Sequence, residues 1–324
     1  MIIYENNNTA PYYNLACEQY LLDAEPLNEE IFMLWRNEPS VIMGRNQNAY
    51  VELNMEFIEK NKITAVRRLT GGGAVFHDLG NVNFTFIMPG SKENKLNFDI
   101  FTRPIIKALN KLNVNAELSG RNDIVVDGYK ISGNAQCSYN GKILHHGTLL
   151  FNADLLNLAG SLNVDEEKIK SKGIKSVRSR VANIKSFLSS DMDTVEFIKY
   201  IECNIDAEKK NFTFGQIKSI QKLADDKYST WEWNFGQSKQ YSFTKKRYFP
   251  FGLVELNVNT DGGYIYGVRI CGDYFGLDDI NELEKILTGV KYETESIKKK
   301  LSEIQIDKYI YGAKSEDIIN MLIS

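Results

Sequence analysis

The 324-residue sequence predicts an α+β protein. A mixed, largely antiparallel sheet carries packed helices, and a small α/β module follows at the C-terminal end. Three observations predict it. Asp127-Gly128 and Asn140-Gly141 each stand between apolar runs, and both dipeptides favour the two-residue turns of antiparallel hairpins. Residues 82–88, VNFTFIM, alternate so that Val82, Phe84 and Phe86 share one face and Asn83 and Thr85 the other. Apolar positions at helical spacing recur between these strands. Antiparallel hairpins argue against a doubly wound nucleotide fold, whose sheet is mostly parallel.

Taken in order, YNLACEQYLL predicts a helix over Tyr13–Leu22, after a low-complexity run at Asn6–Asn8. IFMLWR and PSVIMGRNQ read as strands, the second ending in a polar turn. VELNMEFIEKNKI reads as one helix with Val51, Met55, Ile58 and Lys62 near one face. FDIFTRPIIKALNKLNV is helical, with Pro104 expected near the first turn, where its missing N–H costs nothing. DMDTVEFIKYIECNI is a further helix. In WEWNFGQ, Trp231 and Trp233 lie two apart and share a face if extended, which reads as core packing. From Gly236 to Phe249 the pattern turns basic and loses periodicity. The boundary is set there, with residues 1–245 as a catalytic domain and 250–324 as an accessory domain. In the latter, LVELNV and YIYGVRI flank Asp261-Gly262-Gly263 as a hairpin. The next helix opens on Asp279 and Glu282 in a capping-box-like arrangement and stops at Gly289. ESIKKKLSEI adds another.

A formal charge of −3 argues against nucleic acid as the main partner. The start, MIIYENNNTA, shows no signal peptide, and no run of about 18 apolar residues predicts a membrane span. Cys17, Cys137, Cys203 and Cys271 lie far apart, without metal-ligand spacing. A cytoplasmic protein is expected.

Chemistry concentrates in a few stretches. Gly71-Gly72-Gly73 follows Arg67 and Arg68, and three glycines cost backbone entropy that something must offset. The run is neither a Walker A loop nor G-x-G-x-x-G. Two readings stand: a wall of bare backbone beside a ligand, with Arg68 facing a carboxylate or phosphate, or a tight turn with two surface arginines. Lys130 falls between Tyr129 and Ile131, which point away from it on a strand, and Asp123 starts the facing strand. His145 and His146 point to opposite faces, so one of them at most reaches a given pocket. With only His77 elsewhere, zinc is disfavoured. Cys137 reads as a small buried hydrophobe rather than a nucleophile. KGIKSVRSRVANI, residues 172–184, reads either as a mobile loop closing over an anion or as a solvated basic stretch.

Together and in this order, RRLTGGGAVFHDLGNVNFTF, GRNDIVV, KISGNAQ, HHGTLLFNADL, KGIKSVRSRVANI and WEWNFGQ resemble the lipoate–protein ligase A family. The resemblance runs from about Tyr12 to Gln237, and the segment after residue 250 looks like the accessory domain of the long bacterial type. It implies the biotin/lipoate ligase-type fold, related to class II aminoacyl-tRNA synthetases. It implies a reaction in which ATP, with Mg²⁺, and free lipoate form lipoyl-adenylate. The acyl group then passes to a lysine on a lipoyl domain of a 2-oxoacid dehydrogenase E2 subunit, or on the glycine-cleavage H protein. By motif it implies nucleotide contacts at Arg68, Gly73, Ala74, Val75, Phe76, Asp123 and Lys130. Lipoate contacts fall on Arg68, Gly71, Gly72, Gly73, His77, Lys130 and His146. Lys130 takes the catalytic role, metal ligands stay unassigned, and Lys172–Arg180 is expected to act as a lid. Thr70 stands where relatives often have serine. The rivals are an acyltransferase of the same fold using Cys137, an idle binding homologue, and a biotin ligase, whose GRGRxGR-like stretch is missing.

Overall fold

The computed structural model describes residues 1–23, 29–91, 94–162, 181–236, 243–261 and 263–323. Its strands in chain order are β1 (Ile2–Glu5), β2 (Ile31–Trp35), β3 (Ser40–Met43), β4 (Thr64–Arg67), β5 (Val75–His77), β6 (Asn81–Pro89) and β7 (Ala116–Ser119). They continue with β8 (Asp123–Val126), β9 (Tyr129–Tyr139), β10 (Lys142–Leu150), β11 (Glu208–Lys210), β12 (Phe243–Phe249), β13 (Gly252–Asp261) and β14 (Tyr264–Gly272).

Eight strands form the main sheet in the order β11-β1-β2-β6-β10-β9-β8-β7, antiparallel except where β1 meets β2 and β11. The two dipeptide turns set its register. Asp127 and Gly128 have φ of +50° and +80°, and Asn140 and Gly141 have +47° and +73°, so each pair holds the left-handed geometry of a type I′ turn. Alternation along β6 sorts the two faces. Phe84 and Phe86 join Phe101 and Ile105 in one core, under the helix Phe98–Asn110. Thr85 points to the opposite side, toward the helix Pro11–Asp23. A second sheet, β4-β3-β5, carries the segment that enters and leaves the glycine run.

The C-terminal segment builds its own three-stranded antiparallel sheet, β12-β13-β14, with a core of Val254, Leu256, Ile270, Leu283 and Leu287 under the helix Ile280–Leu287. Its contacts with the rest converge near the glycine run. Gly272 N–H donates to the Asn46 carbonyl at 2.9 Å, and Arg45 pairs with Asp279 at 2.8 Å.

Several expectations are corrected. Residues 49–62 form two short helices, Ala49–Glu52 and Met55–Lys60, because the Asn54 side chain accepts from Phe57 N–H and starts a new helix. Lys62 lies beyond both, at φ +53°. Pro104 is the seventh residue of its helix, not in the first turn. It sits on the half-buried flank with Ile100, whose carbonyl it cannot serve, away from the Phe101/Ile105 stripe. Tyr129 and Ile131 do not share a face: Lys130 pairs with Val125 and Ser132 with Ile124, so Ile131 is the extra residue of a bulge. Tyr129 is 46% exposed while Ile131 is buried. The tryptophans sit on a helical turn, Trp231–Asn234, where a spacing of two separates them, and Trp231 is 57% exposed. The stretch Phe243–Phe249, read as basic and without periodicity, is a strand that pairs with β13 along its whole length.

Candidate active site

Both arginines before the glycine run are buried, Arg67 to 1% exposure and Arg68 to 5%, which excludes the surface-turn reading. Each guanidinium serves as a cross-link. Arg67 donates to the carbonyls of Gly44, Arg45 and Gln47 on one side and of Trp233 and Asn234 on the other. Arg68 donates to Thr70 Oγ1 at 2.8 Å and to the carbonyls of Ile42, Gly71 and Gly73 at 3.0, 2.7 and 2.9 Å. Burial lowers both groups to about 10, well short of neutrality at physiological pH. Arg68 therefore folds the loop around its own charge, and five planar donors suit that task.

The glycines answer to what surrounds them. A methyl group on Gly71 would lie 2.5 Å from the Tyr274 carbonyl oxygen. Gly72 takes φ +93°, and its N–H donates to that same oxygen at 3.3 Å. Gly73 faces open space. Beyond it lies a cavity of about 140 Å³, with Gly72, Gly73 and Ala74 on one side and Lys130 and Gly133 on its wall. Leu15, Trp35, Ile42 and Val75 supply apolar surface.

Lys130 Nζ pairs with Asp123 Oδ1 at 2.8 Å, both side chains partly exposed. A reciprocal clasp holds the hairpin that bears them. Asn134 donates twice to the Asn122 carbonyl, and Asn122 Nδ2 donates back to the Asn134 carbonyl at 2.6 Å. His145 Nε2 supports the clasp from the other face, 3.3 Å from Asn134 Oδ1, with its ring stacked 4.5 Å from Phe101.

His146 faces the cavity and belongs to a buried chain. Trp35 Nε1–H donates to Thr85 Oγ1 at 2.8 Å, and the Thr85 hydroxyl to Glu18 Oε1 at 2.6 Å. Glu18 also accepts from His146 Nδ1 at 2.9 Å, and His146 Nε2 lies 2.7 Å from Thr70 Oγ1. His77 also lines the cavity. Burial, then the charges of Arg68 and His146, lower it to about 3, so its ring is neutral.

Of the residues expected at the site, Arg68, Gly72, Gly73, Ala74, Val75, His77, Lys130 and His146 line this one cavity. Three do not. Gly71 packs against Tyr274, Phe76 alternates away from Val75 into a cluster with Val41 and Met43, and Asp123 is set beside the cavity by its pair with Lys130. The proposed lid, Lys172–Arg180, lies outside the described residues. Cys137 is absent from the lining, and burial pushes its thiol up to about 12. Among the described residues no three His, Cys, Asp or Glu side chains are placed to hold a metal ion, and no helix is long and apolar enough to cross a membrane.

Residues 10–206 match the family described as the lipoyl protein ligase A/B catalytic domain, and residues 238–322 the bacterial lipoate protein ligase C-terminus. The chain belongs to the lipoate–protein ligase family. A lipoate–protein ligase 1 from Staphylococcus aureus is 42% identical to it over 99% of both chains. Among solved structures, that of P. falciparum LipL1 in complex with lipoate covers 99% of this chain and 98% of its own at 28% identity, with a TM-score of 0.79. A lipoate-protein ligase A bound with ATP covers 73% of this chain and 98% of its own at 27% identity, with a TM-score of 0.60.

Sequence reasoning missed several parts of this ligase. Glu18 is the buried partner of His146, and its one signal was that it is the single charged residue of the helical stretch YNLACEQYLL. Trp35 and Leu15 contribute wall that no local pattern marks. Asn122 and Asn134 stood inside GRND and SGNA, motifs quoted for their neighbours, and only the β8–β9 pairing makes them a unit.

Proposed function

We propose that the ligase activates free lipoate with ATP and transfers the lipoyl group to a lysine of an acceptor protein. One observation carries the reading. The Lys130 amine and the bare main chain of Gly72 and Gly73 line one narrow cavity whose other walls are largely apolar. Such a channel suits a molecule with an apolar chain and one charged end.

In the first step the lipoyl carboxylate attacks the α-phosphorus of ATP, and pyrophosphate leaves. Two anions must meet, and the Lys130 ammonium lowers their repulsion and stabilises the charge that builds at the phosphorus. Asp123 keeps that ammonium in place until the substrates displace it. Mg²⁺ would fit here as an ion carried mainly by the ATP phosphates, with Asp123, the carboxylate paired to Lys130, as its candidate protein ligand, since magnesium commonly takes one or two protein carboxylates beside phosphates. Its chemistry is neutralisation of phosphate charge. Arg68 contributes by fixing the carbonyls of Gly71 and Gly73, which aims the loop's N–H groups. In the second step the acceptor lysine attacks the mixed anhydride, and no side chain of the ligase needs to be acylated. An acyltransferase reading requires a thiolate at Cys137, which the raised pKa of that half-buried thiol opposes.

Lipoyl domains of E2 subunits and the glycine-cleavage H protein are the proposed acceptors, and the cytoplasm the proposed compartment. Residues 1–245 form the proposed catalytic domain and 250–324 the accessory domain. The test is a purified lipoyl domain incubated with the ligase, ATP, Mg²⁺ and free lipoate, then weighed. A mass gain of one lipoyl group that needs ATP supports the reading, and an ATP-independent gain from an acyl carrier protein overturns it.

A further inference from the structure

His77 holds an atom that the rest of the site leaves over. Its side chain is 3% exposed, it lines the cavity, and its Nε2 has no hydrogen-bond partner among the described residues. A chain of amides decides which nitrogen carries the proton. Asn6 Nδ2 donates to Asn14 Oδ1 at 2.9 Å, so Asn14 presents its amino group onward. Asn14 Nδ2 donates to Asn37 Oδ1 at 2.8 Å, which turns Asn37 Nδ2 toward His77 Nδ1 at 3.1 Å. From the other side Asn81 Nδ2 donates to Asn83 Oδ1 at 2.9 Å, and Asn83 Nδ2 lies 3.4 Å from the same Nδ1. Two N–H donors thus converge on Nδ1. That nitrogen is the acceptor, and the ring proton resides on Nε2. The asparagine run at Asn6–Asn8, without evident purpose in the sequence, starts this relay.

The outcome is a neutral, buried N–H donor on a residue of the cavity wall, whose apolar surface comes from Leu15, Trp35, Ile42 and Val75 and whose polar part includes Asn83, His146 and Thr148. An unpaired donor in such a place is costly, and a plain alkyl chain gives it nothing. A ring sulfur is a weak acceptor that can. We propose that His77 is a specificity-determining residue: its Nε2–H donates to a dithiolane sulfur of lipoate, so the cavity selects the sulfur ring over a saturated acyl chain. The proposal rests on the ligase reading above.

The experiment follows acyl-adenylate formation by ATP–pyrophosphate exchange, comparing lipoate, octanoate and 5-cyclopentylpentanoate, whose ring keeps the shape but carries no sulfur. With the wild-type ligase, kcat/KM for lipoate should exceed that for the carbocycle by about threefold to tenfold, the range of one neutral hydrogen bond, with most of the difference in KM. In His77→Phe the ratio should fall to near one, because lipoate loses more than the carbocycle does. A merely structural role would depress all three acids together and leave the ratio unchanged. If the wild-type ligase treats lipoate and the carbocycle alike, the assignment of His77 is overturned while the ligase reading stands. If lipoate supports no exchange at all, the ligase reading itself fails.

Discussion

Lys130 Nζ and Asp123 Oδ1 lie 2.8 Å apart across the β8–β9 hairpin, one residue from Asn122, whose carbonyl accepts two hydrogen bonds from Asn134. The ammonium is thereby held at a cavity wall by a carboxylate that substrate phosphates can replace. Lys130→Ala should reduce adenylate formation by at least about a hundredfold, since the loss falls on charge stabilisation at the reacting centre. Asp123→Asn should cost about tenfold or less in the same exchange assay and leave thermal stability within about 1 kcal/mol, because the pair is partly exposed. A Lys130→Ala enzyme with near-normal exchange would remove Lys130 from the mechanism.

Gly71 and Gly73 should separate under the same substitution. Alanine at 71 meets the Tyr274 carbonyl at 2.5 Å and must push the C-terminal sheet away, so a lower melting temperature is expected. Alanine at 73 meets nothing within 4 Å but adds a methyl group at the cavity wall. Its melting temperature should match wild type while KM for lipoate or ATP rises. Equal melting temperatures for both variants would contradict the packing described.

Arg67→Lys should destabilise by about 2–4 kcal/mol in urea unfolding. One ammonium cannot reach carbonyls on both sides of the guanidinium, and those left buried lose their donors. An unchanged denaturation midpoint would show that the cross-link carries no weight.

Glu18→Ala leaves His146 Nδ1 and the Thr85 hydroxyl without their buried acceptor. A loss of about 1–3 kcal/mol is expected in the same measurement. Glu18→Gln, which keeps an acceptor oxygen, should recover part of it.

Acid should destabilise the fold through His77 and His145, both held neutral by burial, His77 lowered to about 3 and His145 well below its ordinary value. The unfolded chain takes up these protons below about 6.5, and the folded chain does not. Stability is therefore complete above that pH and falls as pH drops toward 3, by up to about 1.4 kcal/mol per pH unit for each ring. Urea midpoints between pH 7.5 and 5 should show the slope, and His145→Phe should lower it by about half.

Local residue chemistry sufficed for the hairpins, because Asp-Gly and Asn-Gly reach left-handed geometry at little cost wherever they stand. It sufficed for the alternation of β6 and for the opposed faces of His145 and His146, which follow from a period of two. The resemblance of RRLTGGG, GRND and KISG assigned Lys130 and the glycine run to one site. Only the packed chain decided that Arg68 turns inward to bind its own loop, that Glu18 stands behind His146, and that His77 carries its proton on Nε2. These depend on partners far along the chain: Ile42 is 26 residues from Arg68, Asn37 is 40 from His77, and His146 is 128 from Glu18. A guanidinium or an imidazole has no preferred direction until tertiary contacts remove water and leave it one set of neighbours to satisfy.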